Sequence, residues 1–328
     1  MTLNRRAALG LAALAATARP AAALTPVSLQ VAPSDPAEVI RLWPGAAPGG
    51  ERVTVTPQVT ERSTDPAFHD RFARYTTDPI LTVLRPDRPN GASLLLIPGG
   101  GYKWAVVDKE GLDCARVFAA AGVTCFVLRY RLPGDGWAAG PDAPLQDAQR
   151  ALRLVRSQAA ARGLDPTRVA VLGASAGGHL AGMLTARTDA TYAAVDAADT
   201  VSHRPDLSIL LYPVATMADS HVHAGSRLEL LGDTPTAEMI ARYSLERMDW
   251  TARPPTFLLH AMDDASVPVE NSLQLLTTLR AAGVPAEAHL FQEGGHGFGI
   301  RLIAGRPAAV WPELALAWAA RHGWITQT

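Results

Sequence analysis

Four short stretches of the chain hold groups that could carry out nucleophilic chemistry. Gly173-Ala174-Ser175-Ala176-Gly177-Gly178 fits G-x-S-x-G, with an apolar run before it and a helical pattern after it. A serine on a tight strand-to-helix turn needs neighbours without bulk. The turn sets Ser175 at a helix N-terminus, whose dipole favours developing negative charge, and points the Ala176 N–H at an oxyanion. Pro98-Gly99-Gly100-Gly101-Tyr102 follows the apolar run Ser93 to Ile97, and glycines there let backbone N–H groups face a ligand. Gly100 and Gly101 are the expected donors. Asp263, just past the apolar run Thr256 to His260, can fix the tautomer of an imidazole and stabilise its cation. Asp264 is its rival, and either could instead cap the helix that begins near Val269. His296, in Gly294-Gly295-His296-Gly297-Phe298-Gly299, lies on a loop that suits a base reaching across to Ser175 Oγ. Together these groups predict two-step acyl transfer with Ser175 as nucleophile, His296 as base and Asp263 orienting the base.

Such groups must be gathered by a scaffold, and the chain shows one. Val53 to Val59 alternates like a half-buried strand, and Ile80 to Leu84 reads as another. Ser93 to Ile97 is continuously apolar, as expected of a strand covered on both faces. A helix follows over Glu110 to Ala121, then a strand over Val123 to Leu128. Leu145, Ala148, Leu152 and Val155 recur at helical spacing within Pro144 to Arg162, and Gly163 stops the helix. Strand Val169 to Leu172, the helix from Ser175, and strands Leu207 to Leu211 and Thr256 to His260 come next. Helix Val269 to Ala282, strand Ala286 to Phe291 and a helix from Pro307 to about Arg321 complete the pattern. This alternation predicts an α/β fold: a mainly parallel sheet of about eight strands with helices on both faces. Right-handed crossovers put the C-terminal ends of the parallel strands on one edge, where sites collect. Residues 215–253 break the rhythm and read as an insert forming a cap or pocket wall.

Of 328 residues, 48% are hydrophobic and 19% charged, and the formal charge is −1. No basic field exists to attract nucleic acid or anionic lipid. The basic stretch Asn4 to Leu9, an Ala/Leu-rich run to about Thr17 and Ala21-Ala22-Ala23 read as an export leader over residues 1–23. Its paired arginines resemble a twin-arginine signal, and its apolar run is too short to span a bilayer. The expected location is therefore periplasmic or extracellular. Residues 24–52, rich in Pro and Gly, read as an extended lead-in to a single domain over 53–328. Cys114 and Cys125 are expected as buried thiols rather than a bridge. His69, His203, His221, His223, His289 and His322 show no metal-ligand spacing, and His221-Val222-His223 reads as a solvated loop. His179 reads as a packed structural histidine. No Walker loop and no G-x-G-x-x-G after a first strand appears, so neither a nucleotide cofactor nor a metal is expected.

The stretches IPGGGY, YRLP (Tyr130 to Pro133), PLQDAQRALRLVR (Pro144 to Arg156), GASAGGHLA (Gly173 to Ala181), HAMDDASVPVENS (His260 to Ser272) and GGHGFG resemble a family. It is the bacterial carbohydrate-esterase branch of the α/β-hydrolases, with acetylxylan and feruloyl esterase-like members, and the resemblance runs from Ile40 to Trp318. It implies the triad Ser175, Asp263 and His296, the oxyanion hole Gly100, Gly101 and Ala176, and an ester or acylated-oligosaccharide substrate. Pro98 stands where related esterases carry the histidine of HGGG. Ala174 replaces an acid common before the serine in hormone-sensitive-lipase-like enzymes. Tyr102, Trp104 and Trp250 are the candidate sugar-facing aromatics. A prolyl-oligopeptidase-like peptidase, a broad small-ester carboxylesterase and a non-catalytic binding module are the rival readings.

Overall fold

The structure, a computed structural model, describes residues 34–325 apart from Asp219. The leader and the start of the lead-in lie outside these residues. In chain order the strands are β1 (Glu38–Arg41), β2 (Gln58–Glu61), β3 (Arg71–Arg74), β4 (Ile80–Leu84), β5 (Ser93–Ile97) and β6 (Ala105–Val106). They continue with β7 (Thr124–Arg129), β8 (Val169–Ala174), β9 (Leu207–Leu211), β10 (Thr256–Ala261) and β11 (Ala286–Phe291). The helices are α1 (Asp113–Ala120), α2 (Ala143–Ser157), α3 (Ala176–Ala186), α4 (Ala224–Leu231), α5 (Ala237–Arg242), α6 (Glu270–Ala281) and α7 (Trp311–Arg321).

Eight strands form one sheet in the order β1-β4-β7-β5-β8-β9-β10-β11. From β7 to β11 every pairing is parallel, while β1–β4 and β4–β7 are antiparallel. The continuous apolar runs follow from burial on both faces. Leu95, Ile97, Phe126, Val169, Val171 and Leu258 pack on one side with α2 and α3. Leu94, Leu96, Cys125, Ala170, Ile209 and Phe257 pack on the other with α1 and α7. Cys114 and Cys125 are both buried free thiols on that second side.

Three sequence expectations change at the N-terminal side. The lead-in contributes β1, and its Leu42 and Trp43 enter the core. Their anchors are polar groups of α2, which spacing alone does not reveal. Trp43 Nε1 donates to Asp147 Oδ1 at 2.9 Å, and Arg150 Nε donates to the Leu42 carbonyl at 2.8 Å. Val53 to Val59 is not a half-buried strand. Pro57 lacks a ladder N–H, and only Gln58–Glu61 pairs, with β3, as the exposed edge of a small second sheet closed by β6. The helix expected from Glu110 begins with a wide turn over Asp108–Leu112, where Leu112 N–H reaches back to the Val107 carbonyl. Residues 215–253 hold α4 and α5 and are pinned down. Leu230, Tyr243, Leu245 and Trp250 enter the core, and Leu245 N–H bonds the Ala215 carbonyl.

Candidate active site

Between β8 and α3 the backbone turns at Ser175 with φ 55° and ψ −122°, a conformation that costs a non-glycine residue free energy. The chain compensates with hydrogen bonds. Ser175 N–H donates to Leu211 O at 3.0 Å, and its carbonyl accepts from His179 and Val214. Gly177 must be glycine because a Cβ there would collide with the Ile97 and Pro98 carbonyls. The turn thereby seats Ser175 against the loop after β5.

Ser175 Oγ lies 2.8 Å from His296 Nε2, and His296 Nδ1 lies 2.6 Å from Asp264 Oδ2. The expectation of Asp263 is corrected. Its carboxylate turns to the loop backbone and accepts Gly295 N–H at 2.8 Å. Asp264, one residue on, is buried beneath the imidazole and accepts Ser266 and Val267 N–H through Oδ1, both at 2.9 Å. His260 on β10 comes within 3.3 Å of Asp264 Oδ2 and is itself held by Ser272 Oγ at 2.8 Å. Burial pushes the Asp264 carboxyl up, but hydrogen bonds from His260 and His296 outweigh it and hold it well below the usual carboxylate range. The two adjacent aspartates past one strand end serve different partners, and the sequence reading of Asp263 over its rival Asp264 takes the wrong one.

The Pro98–Trp104 loop closes the other side of Ser175. Gly99 N–H is taken by Glu110 Oε2 at 2.9 Å, and Tyr130 OH donates to the Pro98 carbonyl at 2.8 Å. Among the described residues the N–H groups of Gly100 and Gly101 have no acceptor. Ala176 is the first residue of α3, so its N–H has no partner within the helix. Gly100 sits at φ 129°, and a Cβ on it would strike the Trp104 carbonyl. The three expected oxyanion donors are therefore amides left unpaired by the backbone, on the loop after β5 and at the start of α3.

The aromatic expectations fare differently. Tyr102 and Trp250 are each 1% exposed, too little to meet a sugar. Tyr102 OH bonds His179 Nδ1 at 2.7 Å, while His179 Nε2 donates to the Tyr243 carbonyl at 2.6 Å. This fixes His179 as a structural histidine, with burial pushing its pKa down to about 4. Trp250 Nε1 donates to Leu245 O at 2.8 Å. Trp104 alone of the three is half-buried, its ring 5.0 Å from that of Phe72.

Sequence reasoning missed Glu110, Tyr212 and His223. Glu110 is buried and joins both loops: besides Gly99 it accepts from Tyr212 OH at 3.2 Å, and that hydroxyl accepts Gly299 N–H at 3.1 Å. The Tyr212 ring stands edge-on to His296 at 5.2 Å. Neither Glu110 nor Tyr212 sits in a motif, and only the fold brings them here. His223, expected in a solvated loop, is half-buried with its ring within 13° of parallel to His296 and 6.5 Å away. Among the described residues no cluster of His, Cys, Asp or Glu could hold a metal ion, and no helix is long and apolar enough to cross a membrane.

Comparison with known proteins identifies the family to which the chain belongs. Residues 86–279 match the BD-FAE family. Endo-1,4-beta-xylanase B of Butyrivibrio fibrisolvens is 35% identical over 66% of this chain and 34% of its own length. Acetylxylan esterase of Xylanibacter ruminicola is 32% identical over 65% of this chain and 42% of its own. The chain thus spans between a third and a half of these two relatives. The crystal structure of an acetyl ester-xyloside bifunctional hydrolase from Caldicellulosiruptor lactoaceticus superposes with a TM-score of 0.70 at 33% identity, covering 88% of this chain and 97% of that one. With the family matched over more than half its length, the chain belongs to the BD-FAE family and has the α/β-hydrolase fold of the esterases it resembles.

Proposed function

We propose that the protein is a carboxylic ester hydrolase that removes acetyl groups from plant polysaccharide through a serine-bound acyl intermediate. The observation that carries this reading is the unbroken line from Ser175 Oγ through His296 to buried Asp264. His296 Nε2 takes the Ser175 proton as Oγ attacks the ester carbonyl, and Asp264 holds the other ring nitrogen and stabilises the imidazolium. The amides of Gly100, Gly101 and Ala176 receive the oxyanion, each donor contributing about 3 to 4 kcal/mol by analogy with a measured oxyanion hole. His296 then protonates the leaving alcohol, and water repeats the sequence on the acyl-enzyme. The acetyl-xylan substrate is supported by the names of the two relatives and the superposed hydrolase. Export by a leader over residues 1–23 is part of the same proposal, since such a polymer lies outside the cell.

The test is acetate release from acetylated xylan beside hydrolysis of 4-nitrophenyl acetate, for wild type and Ser175→Ala. Turnover of both, falling by about 10⁶ in kcat in the variant, is the expected result. Turnover of the aryl ester alone would reject the polysaccharide and leave the mechanism. An alanine variant as active as wild type would reject the triad.

A further inference from the structure

His223 stands at the N-terminus of α4, half-buried, between the Gly101 turn and His296. A side-chain carbon built on Gly101 would lie 3.9 Å from His223 Cε1, so this imidazole borders the Gly101 turn. Its protonation state can be read from its partners. Ser226 N–H lies 3.0 Å from His223 Nδ1, and a backbone N–H can only donate. Nδ1 is therefore the acceptor and carries no hydrogen. The ring is neutral, with its one N–H on Nε2. Ser226 Oγ, 2.8 Å from the same Nδ1, can donate to it as well, since a hydroxyl fits either tautomer. Burial and the neighbouring His296 both push the His223 pKa down, in keeping with a neutral ring. Among the described residues Nε2–H has no acceptor, yet it is not among the atoms sealed from solvent. A donor of fixed tautomer, open to solvent and without a protein acceptor among the described residues, thus sits on a ring 6.5 Å from that of His296.

The substrate must supply the acceptor, and the acetyl half has none to spare. Its carbonyl oxygen is claimed by the amides of Gly100, Gly101 and Ala176, and the ester oxygen by the proton His296 delivers. The remaining acceptors lie on the alcohol half. We propose that His223 is a specificity-determining residue whose Nε2–H binds a hydroxyl oxygen of the leaving alcohol, selecting acetates of polyols and sugars over acetates of simple alcohols. A site built to bond a hydroxyl discriminates against the analogue lacking it, because the donor loses its water when the substrate covers it and is then left unpaired. The inference rests on the esterase reading above but not on xylan as the polymer.

The experiment compares kcat/KM on glycerol 1-acetate and propyl acetate, which differ in the two hydroxyls, for wild type, His223→Phe and His223→Gln. Acetylated xylan is run alongside. Phe keeps a ring beside His296 and removes the donor; Gln restores an N–H near the Nε2 position. Wild type is expected to prefer glycerol acetate. His223→Phe should lose about five- to tenfold on that substrate, the worth of one neutral hydrogen bond, with propyl acetate changed less than twofold. His223→Gln should recover part of the loss. Propyl acetate turnover also reports whether His223→Phe, which loses the Nδ1 cap of α4, is folded. Equal losses on both esters would make His223 an oxyanion donor or a structural residue and overturn the proposal. So would a wild type without preference, or a Phe variant that keeps it. A wild type that prefers glycerol acetate but ignores acetylated xylan would reject the polysaccharide reading and leave His223 with its role.

Discussion

Two glycine-rich loops meet at Ser175, and they do different work by different means. The loop after β5 offers backbone amides. Its shape is fixed from below by Tyr130 OH on the Pro98 carbonyl and by Glu110 on Gly99 N–H, and Tyr102 sinks into the core behind it. The loop after β11 offers a side chain. Tyr212 OH and Trp311 Nε1 hold Gly299, and Asp263 holds Gly295, but the imidazole of His296 takes its orientation from one buried oxygen of Asp264. Oxyanion donors that are amides have no rotamer to lose and need only a rigid backbone. A base that must turn from nucleophile to leaving group needs a directing partner. Glu110, bonded to Gly99 and through Tyr212 to Gly299, couples the two loops.

The largest test of that contrast is the aspartate pair. Asp264→Asn preserves shape but no longer stabilises the imidazolium or enforces the tautomer that leaves Nε2 free to accept. It should lower kcat on 4-nitrophenyl acetate by about 10⁴. Asp263→Asn keeps an oxygen that can accept Gly295 N–H, loses only the charge, and should cost less than tenfold. Reversed magnitudes would return the role to Asp263. On the amide side the corresponding change is Gly100→Ala. A methyl there meets the Trp104 carbonyl in a backbone conformation L-residues avoid, so the amide must move. Losing its alignment should lower kcat by about 10² to 10³ with KM little changed. A normal kcat would show that Gly100 N–H does not meet the oxyanion.

The same contrast explains what could be read from sequence. The doubly covered strands β5, β8, β9 and β10 were legible because burial on both faces writes an unbroken apolar run. Ser175, His296 and the loop glycines were legible because tight turns beside strand ends demand small residues at fixed offsets. Asp264 was not separable from Asp263, since the choice depends on which carboxylate the turn to Val267 buries. Glu110, Tyr212 and His223 arrive from a helix start, a strand end and an insert, and no spacing links them. β1 stayed hidden because its short edge pairing and the Trp43–Asp147 and Arg150–Leu42 bonds are long-range. Tyr102 and Trp250 were misjudged because an aromatic beside a glycine loop or in an insert looks the same whether it faces sugar or core.

The insert and the amide loop are joined behind the site by Tyr102–His179–Tyr243, and this link should titrate. Burial disfavours the His179 imidazolium and pushes its pKa in the folded protein down to about 4, from the 6.5 of an exposed imidazole. The folded state therefore refuses a proton the unfolded chain accepts. Stability contributed by the neutral ring is complete above about pH 6.5 and is lost as pH falls toward 4, amounting to about 3 kcal/mol. Thermal melting of His179→Gln, whose amide can still donate to Tyr243, should fall less between pH 7 and pH 4.5 than that of wild type. Parallel curves would place the acid sensitivity elsewhere, with His203 and His223 the next candidates because burial lowers both.

The smallest effect separates a structural tyrosine from a substrate-binding one. Tyr102→Phe keeps the buried ring and removes only the hydroxyl bonded to His179. That leaves Nδ1 of a buried imidazole without a partner and should lower stability by about 1 to 2 kcal/mol in a denaturant titration. Because Tyr102 is buried and its hydroxyl is bonded to His179, kcat/KM on sugar and alkyl acetates should both stay within about twofold. A selective loss on the sugar acetate would return Tyr102 to the substrate. The amide loop would then bind the alcohol as well as the oxyanion, and the division of labour between the two loops would fail.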